Sequence, residues 1–397
     1  MRIIINECKK ILDIRIILLL CMFSILYYMT FTQIYRYPTG GQLTNTKYDI
    51  PFTAELVKEW GPKWKVKDEK QYQEKHQELE RGFAKIIKQD QELSKRGIVD
   101  YEIFNKKYEE LGQKTTLSKQ EKELGKILEN YVFYNDKTSK IFLDIQALEH
   151  IREFQGSEYG VSDKKYKELK ADGTKLYQKA IEKRVKRDYI SLVHEGVFYI
   201  LQEDMVTIGG LIMICFFALI IPYQLKQRLR QVIPILATTK TGRRIYQIQL
   251  IASALVALFV GILQMAVYGI IWHLKGLSVF WRCESWGIAS NSYWCDKLSF
   301  GTYMLLYMAL ILLFAIASIV IIDFIGRTIG NYMGAVAVSI PVCGVMMFLM
   351  RKIYYMLFLI TNDQVLAYWE LYALATWLIV MLLFYKIRSK RWKKVDL

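Results

Sequence analysis

Six apolar stretches govern what this 397-residue chain can fold into: residues 16–35, 206–223, 245–272, 298–322, 331–350 and 366–385. Each approaches or exceeds the ~20 apolar residues a helix needs to cross a bilayer. The first five contain no Asp, Glu, Lys or Arg, and the sixth has only Glu370, near its start. A charge at a helix centre costs roughly 2.5–3.5 kcal/mol on insertion scales, so this absence points to lipid. The first stretch is too long for a signal peptide. It ends in Thr-Gln-Ile-Tyr-Arg with no small-x-small cleavage site, so it reads as a retained span. The expected fold class is an all-α integral membrane protein with six transmembrane helices.

The basic residues orient those helices. Seventeen lie beside one set of span ends: Arg2, Lys9, Lys10 and Arg15, six between spans two and three, Arg327, and six in the final tail. Only Lys275, Arg282, Lys297, Arg351 and Lys352 occupy the other short loops. Lys/Arg-rich short loops stay on the cytoplasmic side, so both termini are expected inside and residues 36–204 outside, at a plasma membrane. The boundaries expected are an entry helix over 1–15, a first span over 16–35, an exterior domain over 36–204 and a second span over 205–223. A cytoplasmic loop over 224–244, four spans within 245–385 and a basic tail over 386–397 complete the chain.

Charge also argues against a nucleic-acid partner. The formal net charge is +16, yet residues 36–204 hold 32 basic and 30 acidic side chains. A nucleic-acid binder would concentrate its excess on the folded domain. Here the excess lies around the spans, which suits anionic lipid headgroups.

The exterior stretch opens with a turn-rich lead-in over 37–62, carrying Pro38, Gly40, Gly41, Pro51, Gly61 and Pro62. Helical spacing follows, through Tyr72, Leu79, Phe83, Ile86 and Leu93, and Gly97 breaks it. Asp100 can cap a second helix, and Ser118-Lys-Gln-Glu121 is a capping box for a third. A fourth carries Ile141, Ile145, Leu148 and Ile151. A last helix from Ser162 carries Leu169, Leu176, Leu192 and Ile200 and could run on into the second span. No β-alternation is visible, so an all-helical extracytoplasmic domain is expected.

Residues 222–249 carry Lys226, Arg228, Arg230, Lys240, Arg243 and Arg244, and no acidic residue. Their apolar middle, 232–237, is too short to span, and Thr238 to Gly242 supplies stop and turn chemistry. This segment is either a surface helix for a cytoplasmic partner or a connector whose charges fix topology. Residues 1–15 mix isoleucines with Glu7, Lys9, Lys10 and Asp13, as an amphipathic helix or merely the charged flank of an anchor would.

Gly326, Gly330 and Gly334 recur every four residues and predict close helix packing. Asp323 beside Arg327 predicts an end-cap or ion pair. Cys283 and Cys295 share one exterior loop and could close a disulfide in an oxidising compartment. No metal site is expected. The sequence lacks G-x-x-x-x-G-K-[ST], H-E-x-x-H and G-x-S-x-G, so no enzymatic activity is expected of this chain.

Taken together, Glu7-Cys8-Lys9-Lys10-Ile11-Leu12 before the first span, the six-span layout, and Ile235-Leu236-Ala237-Thr238-Thr239-Lys240-Thr241-Gly242-Arg243-Arg244 entering the third resemble the permease subunits of type-two ABC exporters. The resemblance implies that Glu7, Lys9 and Lys10 belong to an entry helix. It also implies that Arg228, Arg230, Ile235, Thr239, Gly242, Arg243 and Arg244 belong to a coupling helix docking a separate ABC ATPase subunit. ATP and Mg would then sit on that partner, with no cofactor here, and a second permease copy or paralogue would complete the transporter. Family members often carry acidic residues approaching the coupling helix. The basic run from Lys226 to Arg230 departs from that and implies an acidic docking surface on the partner. Peptide, antibiotic or lipid-like substrates all suit the resemblance. A membrane sensor or scaffold, its exterior helices binding a peptide, lipid or cell-wall component, is the competing expectation.

Overall fold

The computed structural model describes residues 2–37, 46–65, 68–114, 116–156, 174–176, 178–179, 189–229, 245–285, 297–355, 357–359 and 366–395. Within these, six helices are long and apolar enough to cross a membrane: Ile14–Phe31, Glu195–Leu229, Ile245–Leu274, Phe300–Thr328, Tyr332–Tyr354 and Trp369–Lys390. They are called the first to sixth spans below. The second is the central pillar, with the first, third, fourth and fifth packed on it and the sixth on the fourth. Its most apolar window is 78% buried, against 17% for the first and sixth.

Side-chain contacts between span ends fix how the helices alternate. Glu7, Tyr223, Gln249, Arg327 and Arg388 belong to one set of linked span ends, here the terminal end of the bundle. Asp204 meets Ile34, and Phe198 meets Phe300, at the other end, which carries the domain built from residues 46–191. Both terminal segments thus share one end of an antiparallel bundle.

The second span is far longer than its apolar core. Its 35 residues amount to ~52 Å at 1.5 Å per residue, against a hydrocarbon thickness of ~30 Å. The excess at the domain end, from Glu195, is buried at Val197, Phe198, Leu201 and Met205, where the domain base packs around it. At the other end the helix carries on through Pro222 to Leu229, so the proline does not end it and residues 224–229 are helical rather than loop.

The domain base is built by α4 (Thr46–Trp60), with Ile50, Phe52 and Leu56 almost fully buried. The lead-in expected here as loop is therefore largely helix. Pro51 removes one backbone donor, but burial of its neighbours outweighs that loss. Nor is the domain wholly helical. Strand β1 (Lys63–Lys65) pairs antiparallel with β2 (Tyr189–Ser191), with Trp64 opposite Ile190 and both buried. Three residues per strand are too few for alternation to show in sequence. The second strand also interrupts the helix expected to run from Ser162 into the second span; residues 157–173 lie outside the described set.

Beyond the base, α5 (Glu69–Ile87), α6 (Gln91–Lys95), α7 (Tyr101–Gln113), α8 (Lys119–Glu129) and α9 (Asp136–Gly156) enclose a separate core around Phe83, Phe104 and Phe142. Asp100 accepts from the Ile103 amide at 2.9 Å, and Ser118 with Glu121 forms the complete capping box. A π-turn over Asn130–Tyr134 joins α8 to α9. Of the stretch between the fifth and sixth spans, residues 355, 357–359 and 366–368 are described. Leu357 and Phe358 are buried at the domain end, where Tyr303 donates to the Leu357 carbonyl at 2.8 Å and Phe358 N–H donates to Glu370 at 3.0 Å.

Candidate functional site: a polar clasp at the terminal end

The terminal end gathers polar side chains from the first helix and from the second, third, fourth and sixth spans. Helix α1 (Arg2–Ile11) is amphipathic, and its Ile4, Cys8 and Ile11 face the spans. That face carries Glu7 inward, leaving it 3% exposed. Tyr223 of the second span donates its hydroxyl to Glu7 Oε2, and Lys10 Nζ lies 2.6 Å from Oε1. Cys8 Sγ lies 3.8 Å from the Ala252 carbonyl of the third span. The entry helix is thereby tied to both spans flanking the 230–244 segment.

One turn from the end of the fourth span, Asp323 and Arg327 form a buried ion pair at 2.8 Å. The expectation of an end-cap or ion pair holds, and the pair is more elaborate than expected. Gln224 Nε2 donates to Asp323 Oδ1 at 2.6 Å, and Arg327 Nη2 donates to Gln249 Oε1 at 2.8 Å. The Arg327 guanidinium also lies 4.9 Å from the centre of the Tyr246 ring. A buried charge pair is retained only when its other hydrogen-bonding positions are filled, and here the second and third spans supply Gln224 and Gln249. Gln224 Oε1 and Gln249 Nε2 remain without a partner among the described residues.

Arg228 extends the clasp outward. It donates to the Arg327 and Thr328 carbonyls at 3.1 and 2.7 Å, satisfying orphan carbonyls at a helix C-terminus. Arg388 of the sixth span reaches Thr328 Oγ1 at 3.3 Å and covers the Phe324 ring at 4.4 Å.

Of the docking residues expected from sequence, Arg228 takes this capping position. Arg230, Ile235, Thr239, Gly242, Arg243 and Arg244 lie outside the described residues. Lys10 pairs with Glu7, while Lys9 is exposed. The three glycines part company. A Cβ on Gly326 would stand 2.8 Å from Gln224 Cβ, so this glycine lets the fourth span approach the second. Gly330 lies in the break between helices with nothing within 4 Å of such a Cβ, and the nearest atom at Gly334 is its own N-cap, Asn331.

Cys283 is a buried free thiol pointing at the Leu192 carbonyl, 3.8 Å away, and burial pushes its pKa up to about 12. Cys295 lies outside the described residues. Among the described residues no group of three or more His, Cys, Asp and Glu is arranged to hold a metal ion.

Tyr223, Gln224 and Gln249 carry no charge and so do not stand out within or beside the apolar stretches of the sequence. Asp204, at the domain end, lies just outside the second of those stretches. It is fully buried and caps the short helix α3 (Gln33–Arg36), accepting from Gln33 and, at 2.9 Å, from Ile34. Uncharged polar residues near span ends were the available signal. The clasp's described geometry joins an amphipathic helix to a helix bundle. No protein-family profile, curated protein or solved structure matches this chain.

Proposed function

We propose that this chain is the membrane-spanning permease subunit of an ATP-driven exporter of the type-two ABC family. In this reading the terminal end of the bundle is cytoplasmic, residues 36–204 face the exterior of a plasma membrane, and ATP and Mg belong to a separate ATPase subunit. A second permease, identical or paralogous, completes the pathway, and peptide, antibiotic or lipid-like molecules are the substrate classes considered.

The observation that carries the reading is the seating of α1. Its Glu7 is gripped by Tyr223, about two turns before the 230–244 segment, and its Cys8 abuts the third span beyond that segment. A partner pressing on α1 and on 230–244 would therefore press on one mechanical unit. Through Gln224, Asp323 and Arg327 that unit includes the fourth span. Contiguous packing of a docking element onto the spans is one physical route by which two-state rocking of membrane halves is driven.

The test is Arg243→Glu in the tagged full-length chain. The expected result is loss of a co-purifying ATPase chain with membrane insertion intact. Unchanged co-purification would contradict the docking assignment.

A further inference from the structure

Between the first, second and fifth spans lies a cavity of about 700 Å³. Its floor is the second span, at Phe217 and Pro222; its walls are Leu19 of the first span and Ile340 and Gly344 of the fifth. It closes toward the domain end. There the positions around Gly210 are so crowded that an added Cβ would lie 2.6 Å from Met347 Cε and 3.4 Å from the Tyr27 hydroxyl. Tyr27 is itself fixed by donating to the Thr207 carbonyl at 3.2 Å. At the terminal end the groove opens between Arg15 and Tyr332, both exposed. From Tyr332 to Met347 it follows fifteen residues of helix, ~22 Å at 1.5 Å per residue. That exceeds half the ~30 Å hydrocarbon thickness.

A long, narrow, nearly all-carbon groove that is blind at the bilayer interior and has a cation at its mouth has the shape of one acyl chain beneath one anionic headgroup. Arg15 is suited to the second role. Its backbone N–H is taken by Asp13 at 3.1 Å, and no carboxylate among the described residues pairs with its guanidinium. It stands in the first turn of the first span, whose N-terminus the Asp13 carboxylate already caps, so the anion site rests on the guanidinium alone. A planar guanidinium is the side chain best matched to phosphate. On the preceding helix Lys9 is exposed, while Lys10 is paired with Glu7.

We infer that this groove is a structural site for a single anionic phospholipid, with one chain along Leu19, Phe217 and Ile340 and the phosphate on Arg15. The site requires only that the six spans cross a bilayer, and does not depend on the permease reading. Lipid held there would fill the gap between the first and fifth spans, from which Tyr27 and Met347 each reach toward Gly210 of the second.

The test is native mass spectrometry of the delipidated full-length chain in mild detergent, titrated with palmitoyl-oleoyl phosphatidylglycerol or with phosphatidylcholine of the same chains. Two variants accompany it. Arg15→Gln removes the cation. Gly344→Phe places a ring in the groove from a position with nothing within 4 Å of an added Cβ, and its folding is checked by the same monodisperse elution as the parent. The expected result is one phosphatidylglycerol retained per chain, with at least fivefold weaker retention of phosphatidylcholine. Retention of phosphatidylglycerol should fall at least fivefold in Arg15→Gln and disappear in folded Gly344→Phe. Equal retention of the two lipids, or retention indifferent to both substitutions, would overturn the assignment. So would a dimer that retains no lipid and dissociates in Gly344→Phe, since a second copy would then occupy the groove.

Discussion

Arg327 Nε donates to Asp323 Oδ2 across 2.8 Å, one helical turn apart in the fourth span, with side chains only 2% and 0% exposed. Because Gln224 and Gln249 complete the pair from two other spans, it works as a joint rather than as a local helix contact. Removing one partner strands the other charge, which in buried pairs costs about 3–5 kcal/mol, whereas replacing both with apolar residues is often near neutral. Arg327→Met alone should therefore lower unfolding stability in detergent more than the double variant Asp323→Leu/Arg327→Met. Denaturant titration of the parent, Arg327→Met, Asp323→Leu and the double variant checks this; a double variant at least as destabilised as the sum of its singles would show that the charges do not act as a pair.

The Tyr223–Glu7 contact holds the entry helix. A hydrogen bond to a charged acceptor is worth about 1.5–3 kcal/mol, so Tyr223→Phe should loosen α1 more than the bundle. Hydrogen exchange is the readout. Amides of residues 2–11 should exchange roughly tenfold faster or more, with the middle of the second span unchanged. Uniform acceleration would mean the hydroxyl supports the fold as a whole.

Gly326 and Gly330 are predicted to behave oppositely despite their shared spacing. A side chain at Gly326 meets Gln224 Cβ at 2.8 Å, so Gly326→Val should cost about 1–3 kcal/mol through overpacking. Gly330→Ala meets nothing within 4 Å and should stay within about 0.5 kcal/mol of the parent. Equal losses at the two positions would contradict the close approach assigned to Gly326.

The domain base should weaken as pH rises. Burial, then neighbouring carboxylates, pushes Asp144 and Asp49 up to about 7. Glu55 and Asp49 raise Asp144 while Lys140 and Lys75 oppose them; Glu195 raises Asp49, and His194 lies 3.8 Å from its carboxylate. Both groups have folded pKa values above the ordinary carboxylate range. Between roughly pH 4 and 7 the folded state therefore keeps protons that the unfolded state has released, and stability falls as pH rises through that window. Asp144 Oδ1 has no hydrogen-bond partner among the described residues, so its ionised form is offset only by the more distant Lys140 and Lys75. Asp144→Asn should gain about 2–4 kcal/mol relative to the parent at pH 8 and little at pH 4.5. Thermal melts at the two pH values decide it; a gain independent of pH would contradict titration at this carboxyl.

The spans were legible because lipid imposes a single demand, absence of charge over ~20 residues, that a linear sequence displays directly. Local caps were legible too: Ser118 and Glu121, or Asp100 and Ile103, interact across three residues. The Asp323–Arg327 pair sits at a helical i,i+4 spacing and could be read for that reason. The helix at Thr46–Trp60 was hidden by counting Pro51 and its neighbouring turn residues ahead of the helical spacing of Ile50, Leu56 and Val57. The ribbon joining Trp64 to Ile190 and the grip of Tyr223 on Glu7 bridge more than a hundred residues. Nothing within a local window encodes them, and only the packed bundle brings the partners together.

The most direct test of the central proposal is purification of the tagged wild-type chain in a gentle detergent, followed by identification of every soluble chain that accompanies it. The account predicts a stoichiometric ATPase carrying the nucleotide-binding motif that this chain lacks, lost when residues 235–242 are scrambled. Repeated recovery of a membrane-inserted, folded protein with no ATPase would contradict it and turn attention to the domain at residues 46–191 as the working part.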